Sequence, residues 1–185
     1  PITKAVARRR SAAGNGLFLL VWIMRAAEEE WITRIIAAWM ALFAVGAFII
    51  FRLTNRREPF LVYAGIGIAM LAAATANELN GAALTVAYTI ETGIIALLAY
   101  ILLKDLKLAE RMTILFVGPI VLSYESMTSY VWREGVLNKH FFVLLMLSIV
   151  LLGLGFFFRQ MRGGERSIAS LALIVIGSIY AYILL

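Results

Sequence analysis

HFFVLLMLSIVLLGLGFFFR runs from His140 to Arg159. The eighteen positions between these two, Phe141 to Phe158, carry no charge, and only Ser148, Gly153 and Gly155 interrupt the apolar side chains. A helix needs about 20 mostly apolar residues to cross the roughly 30 Å hydrocarbon core of a bilayer. In lipid a segment must satisfy its own backbone hydrogen bonds, and a helix does so without a partner. The stretch lacks the two-residue alternation of a barrel strand. It reads as a membrane-spanning helix.

The same measure, charge to charge, applies on either side. Ile35 to Phe51 and Pro59 to Asn77 are uncharged, Leu79 to Leu103 holds Glu91 alone, Met112 to Trp132 holds Glu125 alone, and Ser167 to Leu185 is uncharged. The pattern predicts an all-α fold, a polytopic transmembrane helical bundle. It has six spans, at about 35–53, 59–77, 82–103, 112–132, 141–158 and 167–185, with a short seventh at about 11–25 near the N-terminus. The bundle thus covers 11–185 and follows a basic segment, 1–10. The first span is short because only GLFLLVWIM, Gly16 to Met24, is strongly apolar. Started at Ser11 it gives about 21 Å of helix at 1.5 Å per residue. An interfacial helix, the tail of a truncated span and a signal-peptide core behind Lys4, Arg8, Arg9 and Arg10 are the competing readings. No small-residue cleavage site follows, since Arg25 and Glu28 to Glu30 come next.

Charge placement bears on that choice. With 11–25 spanning and the N-terminus cytoplasmic, thirteen of the 17 Lys and Arg fall in inside segments. Arg25, Arg34, Arg133 and Lys139 remain outside, the imbalance that the positive-inside rule predicts. Without that span the split is nearly even. Seven spans are therefore favoured, with the C-terminal end outside. The links are short, so consecutive helices are antiparallel neighbours and none can hold a soluble catalytic domain.

Composition narrows function. Of the residues 63% are apolar and 15% charged, against about 25% charged in soluble domains. With no cysteine there is no disulfide framework, thiolate metal site or cysteine nucleophile. His140 is the single histidine, so a metal site of several imidazoles is excluded. Beside Lys139 and Asn138 it reads as an interfacial histidine. The net charge of +6 sits between apolar runs, where it orients helices rather than binding nucleic acid. No Walker loop, dinucleotide fingerprint, HExxH or GxSxG occurs, so no cofactor is expected. RGGER, Arg162 to Arg166, reads as a turn. The chain begins at Pro1 and ends in an apolar run, which suggests a piece of a longer protein.

Two spans carry residues with chemical potential. Glu91 lies mid-span, where a charge costs about 2.5–3.5 kcal/mol. Tyr88 is one turn before it, and Thr85, Thr89 and Thr92 form an adjoining polar stripe suited to facing protein. Glu91 reads either as a proton or cation site or as a hydrogen-bonded packing residue. Glu125 lies in SYESMTSY, Ser123 to Tyr130, polar over two turns and preceded by Pro119, which predicts a kink. That run either lines a substrate path or joins helices through hydroxyls. Tyr88, Glu91, Thr92, Ser123, Tyr124, Glu125 and Ser129 are the candidate intramembrane polar site. No catalytic or metal-binding set stands out. The four tryptophans fall mostly near run ends, as in aromatic belts, and Gly153, Gly155 and Gly177 allow close helix approach.

LTVAYTIETGIIALLAYILL, Leu84 to Leu103, with an aromatic three positions before a mid-span glutamate, resembles a helix recurring in a large uncharacterised family of prokaryotic many-helix membrane proteins. VLNKHFFVLLMLSIVLL, Val136 to Leu152, an Asn-x-x-Phe entry into a span, is similar to another of its segments. The resemblance covers about 60–185 and maps onto Tyr88, Glu91, Asn138 and Phe141. Tyr88 departs from it, tryptophan being common there. It implies a fragment of a larger bundle in a prokaryotic plasma membrane, and no activity.

The expectation is an integral membrane protein serving as a structural or accessory bundle within a larger membrane assembly. Its partners would be the lipid bilayer and other membrane helices or subunits. A transporter or channel using Glu91 and Glu125 is the alternative, and an enzyme acting on lipid-linked substrates ranks below both.

Overall fold

The computed structural model describes residues 14–16, 18–54, 57–133, 135, 137–165 and 167–185, and every regular element among them is helical. Four described helices are long and apolar enough to cross a membrane: Glu30–Thr54, Pro59–Glu78, Gly81–Leu103 and Lys139–Met161. These match four of the expected spans and place the protein in a membrane. The basic segment 1–10 and residues 11–13 of the expected first span lie outside the described residues.

Backbone contacts divide the chain into two compact units, Pro1–Glu78 and Leu79–Leu185. The first contains a short apolar helix, α1 (Gly14–Ala26), then α2 (Glu29–Thr54) and α3 (Arg57–Glu78). Its core is Ile23 of α1, Ile32 and Ile36 of α2, and Ile66, Met70 and Ala74 of α3. The four-residue spacing puts the α2 pair and the α3 trio each on one helical face. On α2 the buried stripe continues through Met40 and Phe43 to Ala47, while Leu42, Val45, Ile49 and Leu53 point outward. Phe43 meets the Tyr63 ring at 5.9 Å, and Phe51 meets Phe60 at 5.3 Å. The Asn77 amide donates to the Thr33 hydroxyl at 2.8 Å.

The second unit is built around α7 (Lys139–Met161). Val143, Leu144, Leu147, Leu151, Leu154 and Phe158 are buried at helical spacing, and Phe142, Ile149 and Phe156, seven apart, are exposed. Against it pack α4 (Gly81–Leu103), α6 (Val117–Thr128) and α8 (Ile168–Ile183). The α7–α8 approach depends on missing side chains. A Cβ on Gly155 would lie 2.7 Å from Ile174 and 3.1 Å from the Ser170 carbonyl, and one on Gly177 would lie 3.0 Å from the Leu152 nitrogen. Gly153, by contrast, faces open space.

On α4 the usual arrangement of a water-soluble helix is inverted. Thr85, Thr89 and Thr92 are buried, and Ile90, Ile94, Leu98 and Ile101 are exposed. Only an apolar surrounding makes that placement favourable, because water would draw the hydroxyls out and the aliphatic stripe in.

The expected continuous span over 112–132 is not one helix. A short α5 (Leu106–Met112) leads into a 3-10 turn, Thr113–Phe116, and then α6; the chain breaks at Ser129, whose φ of −64° and ψ of 134° are extended, and a second 3-10 turn covers Tyr130–Arg133. Pro119 explains the first irregularity. It has no N–H for the carbonyl four residues back and its ring crowds that carbonyl, so the preceding turn tightens. At the second, the Trp132 indole donates to the Ser126 carbonyl at 2.8 Å, satisfying an acceptor that the ended helix leaves open. The α8 helix is shorter than its expected 167–185 run, at 16 residues.

Local signals set the helix ends. The Asn138 side chain accepts from the His140 and Phe141 amides and so caps α7. That gives the Asn-x-x-Phe entry a structural meaning. Ser167 and Ser170 form a reciprocal capping box on α8. Gly163 and Gly164, with φ of 67° and 93°, turn RGGER between α7 and α8, a conformation open to glycine at little cost.

Candidate intramembrane polar site

The buried polar groups of the second unit form a set of interhelical ties. Ser123, on the inner face of α6, shares a 2.6 Å hydrogen bond with the Tyr180 hydroxyl of α8, and its hydroxyl also lies 2.7 Å from the Ile120 carbonyl. Ser126, one turn on, lies 3.1 Å from His140 Nδ1 of α7. Ser148 of α7 donates to the Gly177 carbonyl of α8 at 3.0 Å. Two hydroxyls of the α4 stripe are satisfied within their own helix: Thr85 donates to the Gly81 carbonyl and Thr89 to the Thr85 carbonyl. No described buried side-chain nitrogen or oxygen is left without a partner. That is the expected state of a packed apolar interior, where an unmet polar group is costly.

The candidate residues divide on this framework. Thr92 and Ser123 are buried, Tyr88, Glu91 and Ser129 are half-buried, and Tyr124 and Glu125 are exposed. Tyr88 and Glu91 are close enough to interact electrostatically. On α6 the hydroxyls of Ser123 and Ser126 point into the unit, while Tyr124, Glu125 and Thr128 face away from it. The polarity that surrounds α6 in sequence is thus split between two faces. Among the described residues, no group of three or more His, Asp or Glu is arranged to hold a metal.

Sequence reasoning missed two features. His140, expected at an interface, is buried and held by Ser126. Ser126 stands in the quoted polar run, three residues after Ser123 and on its face, which was the available signal. The other is an ion pair away from the spans' interiors. Arg162, from the α7–α8 turn, donates through Nε and one Nη to both carboxylate oxygens of Glu110 on α5, each at 2.8 Å. These bonds hold the Glu110 carboxyl below its ordinary range; burial opposes them, and the Ser167 hydroxyl and the Arg162 charge reinforce them. A forked pair of this geometry fixes orientation as well as proximity.

No family model matches the chain, and no curated protein or solved structure matches it either.

Proposed function

We propose that the chain is a structural or accessory helical module that works within a larger membrane assembly. The observation that carries this reading is the outward face of α6, where Glu125 and Tyr124 are turned away from the packed interior. A charged side chain facing lipid is costly, by about 2.5–3.5 kcal/mol at mid-bilayer and less toward its surface. Another helix offering a donor removes that cost. The satisfied interior agrees, since its polar groups are used in holding α6, α7 and α8 together rather than in lining a path.

In this reading the chain crosses a prokaryotic plasma membrane seven times. The crossings are α1, α2, α3, α4, the α6 run at about 112–132, α7 and α8, with the N-terminus cytoplasmic and the C-terminal end outside. The charge distribution supports it. Single cysteines at Asn55 and at Lys107, which is exposed, are expected to be protected from an impermeant thiol reagent in intact cells, and one at Asn138 to react. The opposite pattern would reverse the orientation.

Association is tested by extracting the protein in mild detergent and weighing it by native mass spectrometry. The expected species exceeds 20.5 kDa by the mass of further membrane helices. Glu125→Gln retains the partner less well than the parent, and Ser123→Ala does not lose it selectively. A lone, stable, monodisperse chain would overturn the assembly reading. The transport reading would gain if Glu91→Gln abolished a proton-coupled flux in vesicles with the fold intact.

A further inference from the structure

The exposed residues of α6 are Val117, Gly118, Val121, Tyr124, Glu125 and Thr128. At 3.6 residues per turn they fall within about a third of the helix circumference. Val117, Val121, Tyr124 and Thr128 recur at intervals of four, three and four residues, the spacing of a seam that packs against another helix. Gly118 and Glu125 flank that seam, seven residues apart. A Cβ on Gly118 would meet nothing within 4 Å, so a neighbouring backbone can come close there. The outward face of α4 is different. From Ile90 to Leu102 its exposed residues are isoleucine and leucine alone, a surface that suits lipid tails. Small and polar residues belong where membrane helices meet, and α6 presents both outward.

The charge on this face says what must meet it. Thr128 already donates its hydroxyl to the Tyr124 carbonyl at 2.9 Å. Glu125 pairs with no described residue. It stands three residues before the end of α6, about 4.5 Å along the axis at 1.5 Å per residue. At that depth a lysine or arginine of a neighbouring helix can keep its stem in the apolar layer and bring its head level with the carboxylate. A hydrogen bond between charged groups is roughly twice as strong as one between neutral groups, so a cation answers Glu125 better than an amide or hydroxyl does. A second copy of this chain does not answer it. The exposed face has an acid and no base, and two copies meeting across a two-fold axis would set carboxylate against carboxylate.

We propose that the outward face of α6 docks a membrane-spanning helix of another protein that carries a lysine or arginine at the level of Glu125. The inference rests on the assembly reading above and names the chemistry of the partner. The chain has no cysteine, so disulfide formation from a single introduced thiol reads proximity. Full chains carrying Val121→Cys are reconstituted in phosphatidylcholine vesicles with synthetic 21-residue Leu-Ala helices, anchored by terminal tryptophans. Each peptide has one cysteine and, four residues away, lysine, leucine or glutamate. The lysine peptide is expected to cross-link several-fold faster than the leucine peptide. Glu125→Gln, which keeps the shape of the side chain, should abolish most of that preference, and Glu125→Lys should transfer it to the glutamate peptide. Ile94→Cys, on the aliphatic face of α4, should cross-link to all three peptides alike. Equal rates for lysine and leucine peptides at Val121→Cys, or a lysine preference that survives Glu125→Gln, would overturn the proposal and leave Glu125 to water and headgroups. Dominant disulfides between two Val121→Cys chains would overturn it in favour of a second copy. If the peptides are not discriminated while the native mass still exceeds that of one chain, this inference alone fails; a lone chain without discrimination removes the assembly reading as well.

Discussion

The two units hold themselves together by different means. The core of the first is aliphatic, with Ile23, Ile32, Ile36, Ile66, Met70 and Ala74 in contact and aromatic pairs across α2 and α3. The second adds directional ties to its apolar core: Ser123 to Tyr180, Ser126 to His140, Ser148 to Gly177, and Glu110 to Arg162. In a bilayer the difference matters more than in water. Lipid tails are as apolar as leucine, so aliphatic contacts give little net drive to association, and packing fit and polar bonds supply it. The second unit is thus specified by its own groups. The first leaves an apolar cavity of about 280 Å³ between α1 and α3 and relies more on what surrounds it.

The largest expected effect breaks the fit of the second unit. Gly155→Leu forces a side chain against the Ile174 nitrogen and the Ser170 carbonyl, backbone atoms that cannot rotate aside. Overpacking of this kind costs about 1–3 kcal/mol or more, and the melting temperature in detergent should fall by several degrees. The matched change in the first unit, Gly65→Leu, meets open space and should leave the melting temperature nearly unchanged. Equal losses at the two glycines would erase the contrast between the units.

Next in size is Glu110→Gln, which should lower the melting temperature less than Gly155→Leu, and in a pH-dependent way. The Arg162 bonds lower the Glu110 carboxyl pKa in the folded protein. A depressed carboxyl stabilises the fold above its unfolded pKa, about 4.3 for glutamate, and that contribution disappears as pH falls through the lower folded value. The parent and the variant should therefore differ at neutral pH and converge in acid. A difference independent of pH would show that the charge of Glu110 is not what matters.

How far these features could be read in advance follows their range in sequence. Uncharged length is a local property, so Glu30–Thr54, Pro59–Glu78, Gly81–Leu103 and Lys139–Met161 were legible from the positions of their flanking charges. The buried face of α4 was legible too, because Thr85, Thr89 and Thr92 recur at helical spacing. The break at Ser129 was not: counting apolar residues cannot see a helix end stabilised by an indole reaching back six residues. The pairing of Glu110 with Arg162 spans 52 residues. Glu125 was visible as an oddity but not its direction, since Ser123, Glu125, Ser126 and Thr128 place polarity right around α6, and its neighbours decide which face is covered.

Ser148→Ala should cost about 0.6 kcal/mol, a typical interhelical hydrogen bond in a membrane. The Gly177 carbonyl keeps its helical bond when the hydroxyl goes, so no buried group is orphaned. A loss of several kcal/mol would mean that the tie organises the α7–α8 crossing rather than adding to it.

The smallest effect should come from Asn77→Ala in the first unit. The Asn77 amide reaches Thr33 at 2.8 Å, but the bond is exposed, at the end of α3. There water or headgroups can replace either partner, and the net worth of a hydrogen bond shrinks when its groups are solvated in both states. The aliphatic contacts that hold α2 against α3 lie deeper, at Ile36 and Met70. Asn77→Ala should therefore change the melting temperature by less than Ser148→Ala does, and it should leave cross-linking between cysteines placed at Phe43 and Tyr63 unchanged. If it instead separates α2 from α3 in that assay, the first unit too depends on a polar tie, and its distinction from the second fails.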